Sequence, residues 1–250
     1  MMQAMIFAAG LGTRLKPLTD TTPKALVTVG GTTLLQLVVR KLQAAGVDRM
    51  VVNVHHFASQ IVDYLALHHN FGADITISDE SGRLLETGGG LKMAAPLFRP
   101  DQPILIHNVD ILSNVDFRAF ESDMMHLRTS HSAEAVLLVS HRPSKRQLLF
   151  DSSMKLVGWT NLETGEVRTP HRHLRIDECQ SFAFSGIHGF FPSFFNAMND
   201  FPDRFGIMDF YLSRCIDYPI YGMCMPNLQL IDVGKINIIR EAEQFKNRHY

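Results

Sequence analysis

The sequence is short of several things, and each shortage excludes something. Its 250 residues carry 24 Lys and Arg against 25 Asp and Glu, a formal net charge of −1. It therefore lacks the basic excess of a nucleic-acid-binding chain. No apolar run approaches the ~20 residues of a membrane-spanning helix, so no membrane partner is expected. Cysteine is scarce. Cys179, Cys215 and Cys224 are odd in number and lack metal-ligand spacing, and they read as reduced thiols of a cytoplasmic protein. The twelve histidines include His55-His56, His68-His69 and His171-x-His173. None forms an HExxH motif, so a metal role is not assigned to them. The chain has no internal repeat and no low-complexity linker. Its start, MMQAMIFAAG, is apolar and ends in small residues as a secretory signal does, but it lacks a positive n-region. A buried first strand is expected there.

What is present is an alternation of strand and helix patterns. The spacing predicts a strand ending over Met5–Ala9, a helix over Thr33–Ala45 closed by Gly46, and a strand over Arg49–Val54. A helix over Ala58–Leu67, a strand over Asp74–Ser78 and a short helix over Leu91–Leu97 follow. Then come a strand over Pro103–His107, a helix over Phe117–Thr129 and a strand over Ala133–Ser140. This rhythm implies an α/β fold, Rossmann-like, with a mostly parallel mixed sheet sandwiched by helices. Beyond Ser140 short strands are expected at 147–150, 156–159, 182–190, 220–225 and 228–233, with helices at 192–198, near 209–215 and at 236–246. One domain is expected, residues 1–140 as a nucleotide-binding half and 141–250 as an acceptor half.

The segment AAGLGTRLKPLTDTTPKAL, Ala8–Leu26, follows the first strand. Gly10 to Leu15 lacks the ending of a Walker A loop, and Leu15 stands where a dinucleotide fingerprint has its third glycine. No helix is expected to begin there. A loop of backbone N–H groups remains, with one guanidinium, Arg14, and one ammonium, Lys24. Glycines let phosphate oxygens approach the backbone, and Arg holds phosphate bidentately. Lys24 is a compact point charge in a stretch restricted by Pro23. The chemistry suits a triphosphate. For a lone G-x-G-x-R, a surface turn with solvated charges is the preferred reading.

Further residues change that balance. Gly-Leu-Gly-Thr-Arg-Leu, then Pro-Leu-Thr, then Pro-Lys-Ala resemble in order and spacing the signature of the sugar-1-phosphate nucleotidyltransferases. LETGGGLKMA at Leu85–Ala94, HNVD at His107–Asp110, FSGI at Phe184–Ile187 and LIDVG at Leu230–Gly234 extend the likeness over most of the chain. The pattern is most similar to the N-acetylmuramate-1-phosphate uridylyltransferase branch, with mannose- and heptose-1-phosphate guanylyltransferases as close rivals. The resemblance implies a nucleotide-diphospho-sugar transferase-like fold. It implies a reaction in which an NTP and a sugar 1-phosphate give an NDP-sugar and pyrophosphate with Mg²⁺, the best match being UTP with N-acetylmuramate 1-phosphate.

The roles that follow from the resemblance are these. Ala8, Ala9, Gly10, Gly12 and Thr13 line the nucleotide. Arg14 holds the outer phosphates and the leaving pyrophosphate, and Lys24 bridges the α-phosphate and the incoming sugar phosphate. Glu86, Gly89 and Gly90 face the base, where a carboxylate suits uracil and guanine alike. Asn108, Ser185, Gly186 and Asp209 line the sugar, although a charge at a helix N-terminus explains Asp209 equally well. Asp110 and Asp232 hold Mg²⁺. Arg142, Lys145 and Arg146 read as a solvated turn, yet a carboxylate-bearing sugar needs a cation near them. Val109 replaces the family's usual glycine, and Lys235 its usual small hydroxyl residue. A phosphocholine-type acceptor would need an aromatic cage, for which Phe190, Phe191, Phe194 and Phe195 are available. A catalytically weak homologue would have lost Arg14, Lys24 or an aspartate. The oligomeric state stays open.

Overall fold

The computed structural model describes residues 2–250, and Met1, at the head of the apolar start expected to be a buried strand, lies outside the described residues. The central strand is β1 (Gln3–Phe7), paired along both edges and buried throughout because a packed layer covers each face of the sheet. It pairs in parallel with β4 (Arg49–Val54) and with β6 (Ile104–Asn108), and β4 pairs in parallel with β5 (Asp74–Asp79). A hairpin of β2 (Thr28–Val29) and β3 (Thr32–Thr33) leads into α1 (Leu34–Ala44), where the Thr33 hydroxyl accepts from Gln36 N–H at 3.1 Å. The other helices of this half are α2 (Ala58–Leu67), α3 (Glu86–Ala94) and α4 (Phe117–His131).

The remaining strands are β7 (Ile111–Ser113), β8 (Ala135–Ser140), β9 (Arg146–Phe150), β10 (Leu156–Asn161), β11 (Val167–Arg168), β12 (Gln180–Phe190), β13 (Ile220–Cys224) and β14 (Leu230–Asp232), with α5 (Ile207–Arg214) and α6 (Ile239–His249). β12 joins the halves. It runs antiparallel to β6 and β8 at one end and to β9 at the other, giving the order β11-β10-β9-β12-β6-β1-β4-β5 in a ten-stranded sheet. β13 continues it in parallel beyond β8. The sheet is mixed, with its parallel core in the first half.

Alternation along the strands divides the core into two layers. Ala4 and Ile6 pack with residues of α1, α2, α4 and α6, whereas Met5 and Phe7 pack with α3 and α5. The result is the helix-sheet-helix sandwich expected from the sequence. No helix among the described residues is long and apolar enough to cross a membrane. The differences from expectation are local. α3 begins at Glu86 and ends at Ala94, with a 3₁₀ turn over Ala95–Leu97, so the glycine triplet is helical. A 3₁₀ turn covers Thr13–Leu15, where no helix was expected. The short strands β2, β3, β7 and β11 carry too few residues for a periodicity to appear.

Candidate active site

The opening loop is folded on itself. Gly12 has φ +63°, and a Cβ there would lie 2.9 Å from Thr19 Cγ2 and 3.2 Å from Lys24 Cβ. The Thr19 hydroxyl donates to the Gly12 carbonyl at 2.8 Å, and Leu15 is fully buried beneath the turn. Gly10, by contrast, faces open space. Gly12 shapes the loop, and Gly10 leaves backbone accessible to a ligand.

Lys24 follows Pro23 and begins a second 3₁₀ turn, Lys24–Leu26. Its ammonium donates to Asp110 Oδ2. Asp110 stands in the turn between β6 and β7, and Asp232 ends β14. The β7–β14 ladder pairs Asp232 with Ile111, and Val233 N–H donates to the Asp110 carbonyl at 2.8 Å. Residues 122 positions apart in sequence thus share one site. Burial, then the neighbouring Asp110, push the Asp232 carboxyl above the usual carboxylate range, while Lys24 and Arg14 oppose the shift. Asp232 Oδ1 is buried without a hydrogen-bond partner among the described residues. A Cβ on Gly234 would come within 2.6 Å of that oxygen and 2.8 Å of an Arg14 guanidinium nitrogen. Arg14 therefore lies beside Asp232.

A cavity of about 320 Å³ opens at the carboxyl ends of β1, β4, β5 and β6, the edge where open α/β sheets bind ligands. Ala8, Ala9 and Gly10 line it with Lys24, Asn108 and Asp110, as do Glu86 and Thr87 from α3. Glu86 has φ +63°, and Arg204 donates to its Oε1 at 2.9 Å. Gly12, Thr13, Gly89 and Gly90 are not on the wall. A Cβ on Gly89 would sit 2.1 Å from the Asp203 carbonyl, and one on Gly90 2.5 Å from Glu80 Oε1. Close packing of α3 accounts for both. Asn53 and Glu80 also line the cavity and were not singled out in the sequence. Glu80 is 2% exposed, and burial raises its carboxyl above the usual range.

Asn108 is backed by Gly186, which has φ +74° and where a Cβ would meet Asn108 Nδ2 at 2.9 Å. The register of β12 against β8 shifts between Phe184 and His188 around it. Ser185 is fully buried and its hydroxyl has no partner among the described residues. Val109 is 3% exposed and packs with the hydrophobic core, and it also contributes to the wall of the first cavity.

A second cavity adjoins Asp232 and carries Arg14, Arg142, Arg146 and Arg168 with Trp159. Arg142 donates to the Phe184 carbonyl at 2.9 Å. Arg168 donates to Asp209 Oδ1 at 2.6 Å, tying β11 to the first turn of α5. Lys145 is drawn off to Glu163 at 2.7 Å, so the basic cluster of the sequence divides. Lys235 is exposed. Phe190, Phe191 and Phe194 are buried in the core, which leaves no aromatic cage of these residues.

Residues 3–146 match the family model described as nucleotidyl transferase. The chain is 40% identical over 157 residues to an N-acetylmuramate alpha-1-phosphate uridylyltransferase of Neisseria meningitidis, covering 62% of this chain and 68% of that one. It is 46% identical over 109 residues to the protein of that name in Caulobacter vibrioides, covering 43% and 45%. A mannose-1-phosphate guanyltransferase of Neurospora crassa is 36% identical over 148 residues, covering 58% and 39%. Over its whole length the chain superposes on UDP-glucose pyrophosphorylase complexed with UDP-glucose, with TM-score 0.76 and 17% identity, which establishes the shared fold. The chain belongs to the nucleotidyl transferase family.

Proposed function

We propose that this chain transfers a nucleotidyl group from an NTP to a sugar 1-phosphate, releasing pyrophosphate, and that its substrates are UTP and N-acetylmuramate 1-phosphate. The carrying observation is that Lys24 and Asp110, on the wall of a cavity lined by backbone and α3, lie beside Asp232, on the wall of a second cavity lined by guanidinium groups. The first suits a nucleotide and the second an anionic acceptor. The continuous sheet through β6 and β12 supports reading 1–250 as one catalytic domain, with halves 1–140 and 141–250.

The acceptor phosphate is already ionised at neutral pH, so no side-chain nucleophile is needed. Its oxygen bonds to the α-phosphorus as the bond from that phosphorus to the bridging α–β oxygen breaks, and pyrophosphate departs with that electron pair. The obstacle is the approach of two anions, which positioned cations lower. Lys24 stands on the wall of the first cavity close to Asp232 of the second, where it would bridge the α-phosphate and the acceptor. Arg14 lies on the acceptor side of Asp232, which favours a contact to the sugar phosphate.

Asp110 and Asp232 fit a hard divalent cation such as Mg²⁺, since the two carboxyl groups are close enough to raise Asp232 and one Asp232 oxygen is buried without a hydrogen-bond partner among the described residues. No group of three or more His, Cys, Asp or Glu placed for a metal occurs among the described residues. Substrate phosphates would complete the ligand set, as is usual for Mg²⁺. When bound, the ion would neutralise phosphate charge.

The side chains of Arg14 and Arg146 have no hydrogen bond or ion pair among those described, in a cavity that also holds Arg142 and Arg168. This favours an acceptor with a second negative charge, such as a lactyl carboxylate, over mannose or heptose 1-phosphate. We place the reaction in the cytoplasm, where nucleoside triphosphates are supplied. The test is pyrophosphate release from four NTPs against a panel of sugar 1-phosphates. UTP with N-acetylmuramate 1-phosphate is expected to be fastest and to require Mg²⁺. Equal rates with mannose 1-phosphate would overturn the acceptor assignment.

A further inference from the structure

A line of hydrogen bonds crosses the floor of the first cavity. Ala8 N–H donates to Asn53 Oδ1 at 2.8 Å, and Asn53 Nδ2 donates to Glu80 Oε1 at 2.7 Å. The other Glu80 oxygen, Oε2, accepts from Leu85 N–H at 3.1 Å. Ala8 begins the glycine loop after β1, and Leu85 immediately precedes Glu86 and Thr87 on the opposite wall. Asn53 and Glu80 are both 2% exposed. The His55 ring further holds the Glu80 carbonyl at 2.7 Å, and the space against Glu80 Oε1 admits only a glycine at position 90. The two walls come from segments 77 residues apart and have no other polar link across this floor among those described.

We propose that Asn53 and Glu80 are a positioning pair that sets the spacing between the phosphate-facing loop and the base-facing start of α3, and so governs nucleotide affinity. The proposal rests on reading the first cavity as the nucleotide pocket. The direction of each bond makes it testable. Asn53 must accept with one end and donate with the other, while Glu80 must accept with both. Glu80→Gln puts an amide N–H against either Asn53 Nδ2 or Leu85 N–H. Asn53→Asp puts two carboxylates together. The double variant Asn53→Asp, Glu80→Gln restores a complete line: the carboxylate at position 53 accepts from Ala8 and from the amide nitrogen at position 80, whose oxygen accepts from Leu85.

UTP binding to the full chain is measured by calorimetry, with steady-state kinetics and thermal unfolding alongside. Wild-type chain that binds no NTP would defeat the nucleotide-pocket reading itself. Where wild type binds, each single variant is expected to weaken UTP binding and raise its KM by ~10-fold or more, the scale of a lost hydrogen bond to a buried charged group. The KM of the sugar phosphate should stay within about twofold, and the double variant should recover most of the loss. Single variants that unfold at a lower temperature yet bind UTP normally would overturn the proposal, leaving a purely structural pair. Additive losses in the double variant would also overturn it. So would a change of base preference confined to Glu80→Gln, which would make Glu80 a direct base contact.

Discussion

At the scale of single residues, Asp110, Asp232 and Lys24 hold like and unlike charges in a small space. Asp232 is held up by burial and by Asp110, so its ionised form is strained in the folded protein. Asp232→Asn is expected to lower kcat by ~10²–10³, the scale of a lost charge-stabilising group, while the unfolding temperature stays level or rises. A variant with normal Mg²⁺-dependent turnover would remove Asp232 from the metal site. Lys24→Ala should act oppositely on stability, because it leaves the two carboxylates uncompensated, and should lower kcat by ~10². Lys24→Arg should not restore the rate, since a planar guanidinium cannot take the place of a point charge between two phosphates. Arg14 and Arg146 face the second cavity. Replacing either with Ala should raise the KM of N-acetylmuramate 1-phosphate and leave that of UTP unchanged. A rise confined to UTP would return Arg14 to the outer phosphates of the triphosphate.

At the scale of elements, α3 shows where the sequence is legible and where it is not. Leu91 and Ala94 face the core, so the back half of the helix follows from apolar spacing. Its front half is a glycine triplet, which has low helix propensity and reads as a turn. The glycines are there because another segment passes close. A Cβ on Gly88 would meet the Phe205 ring at 2.3 Å, and one on Gly89 the Asp203 carbonyl at 2.1 Å. No local pattern announces a contact made more than a hundred residues away. Gly89→Ala should therefore cost about 1–3 kcal/mol of stability, the usual range for overpacking, or roughly 2–4 °C in unfolding temperature per kcal/mol. An unchanged melting curve would mean that the 203–205 segment yields freely. The same limit applied to the site. Arg14, Lys24, Asp110 and Asp232 were legible because they sit in motifs of fixed spacing. Asn53 sits near the end of β4 and Glu80 just after β5, where burial of a polar side chain leaves no trace in periodicity. The parallel strands were readable from short apolar runs, and β14 falls within the strand expected at 228–233, but three-residue β7, its partner in the ladder that brings the aspartates together, was not readable.

At the scale of the whole molecule, the joint between the halves carries an acid-sensitive load. His107 on β6 and His188 on β12 lie on neighbouring strands, with Ile187 opposite His107 and Ile106 opposite His188. Burial holds His107 down to about 4 and His188 to about 3, against an ordinary value of 6.5. Well above pH 6.5 both are neutral in the folded and unfolded chains and contribute no pH dependence. As pH falls below that value the unfolded chain takes up protons that the folded one refuses, and stability is lost. The loss per histidine approaches ~1.4 kcal/mol per pH unit in acid, and because the unfolded imidazole is already half protonated at pH 6.5 it comes to about 2 kcal/mol between pH 6.5 and 4.5. Asp232 and Glu80 act in the other sense, because their raised carboxyls bind protons in the folded state before the unfolded chain does. The measured slope is the sum of these, so a variant must isolate the histidine part. His188 serves, since neither ring nitrogen has a hydrogen-bond partner among the described residues and an apolar side chain leaves no donor stranded. His188→Leu should remove about 2 kcal/mol of the difference in unfolding free energy between pH 6.5 and 4.5, measured by urea denaturation at each pH. If the variant and the wild type lost stability in parallel over that interval, His188 would be taking up its proton in the folded sheet, and the joint between β6 and β12 would owe nothing to keeping it neutral.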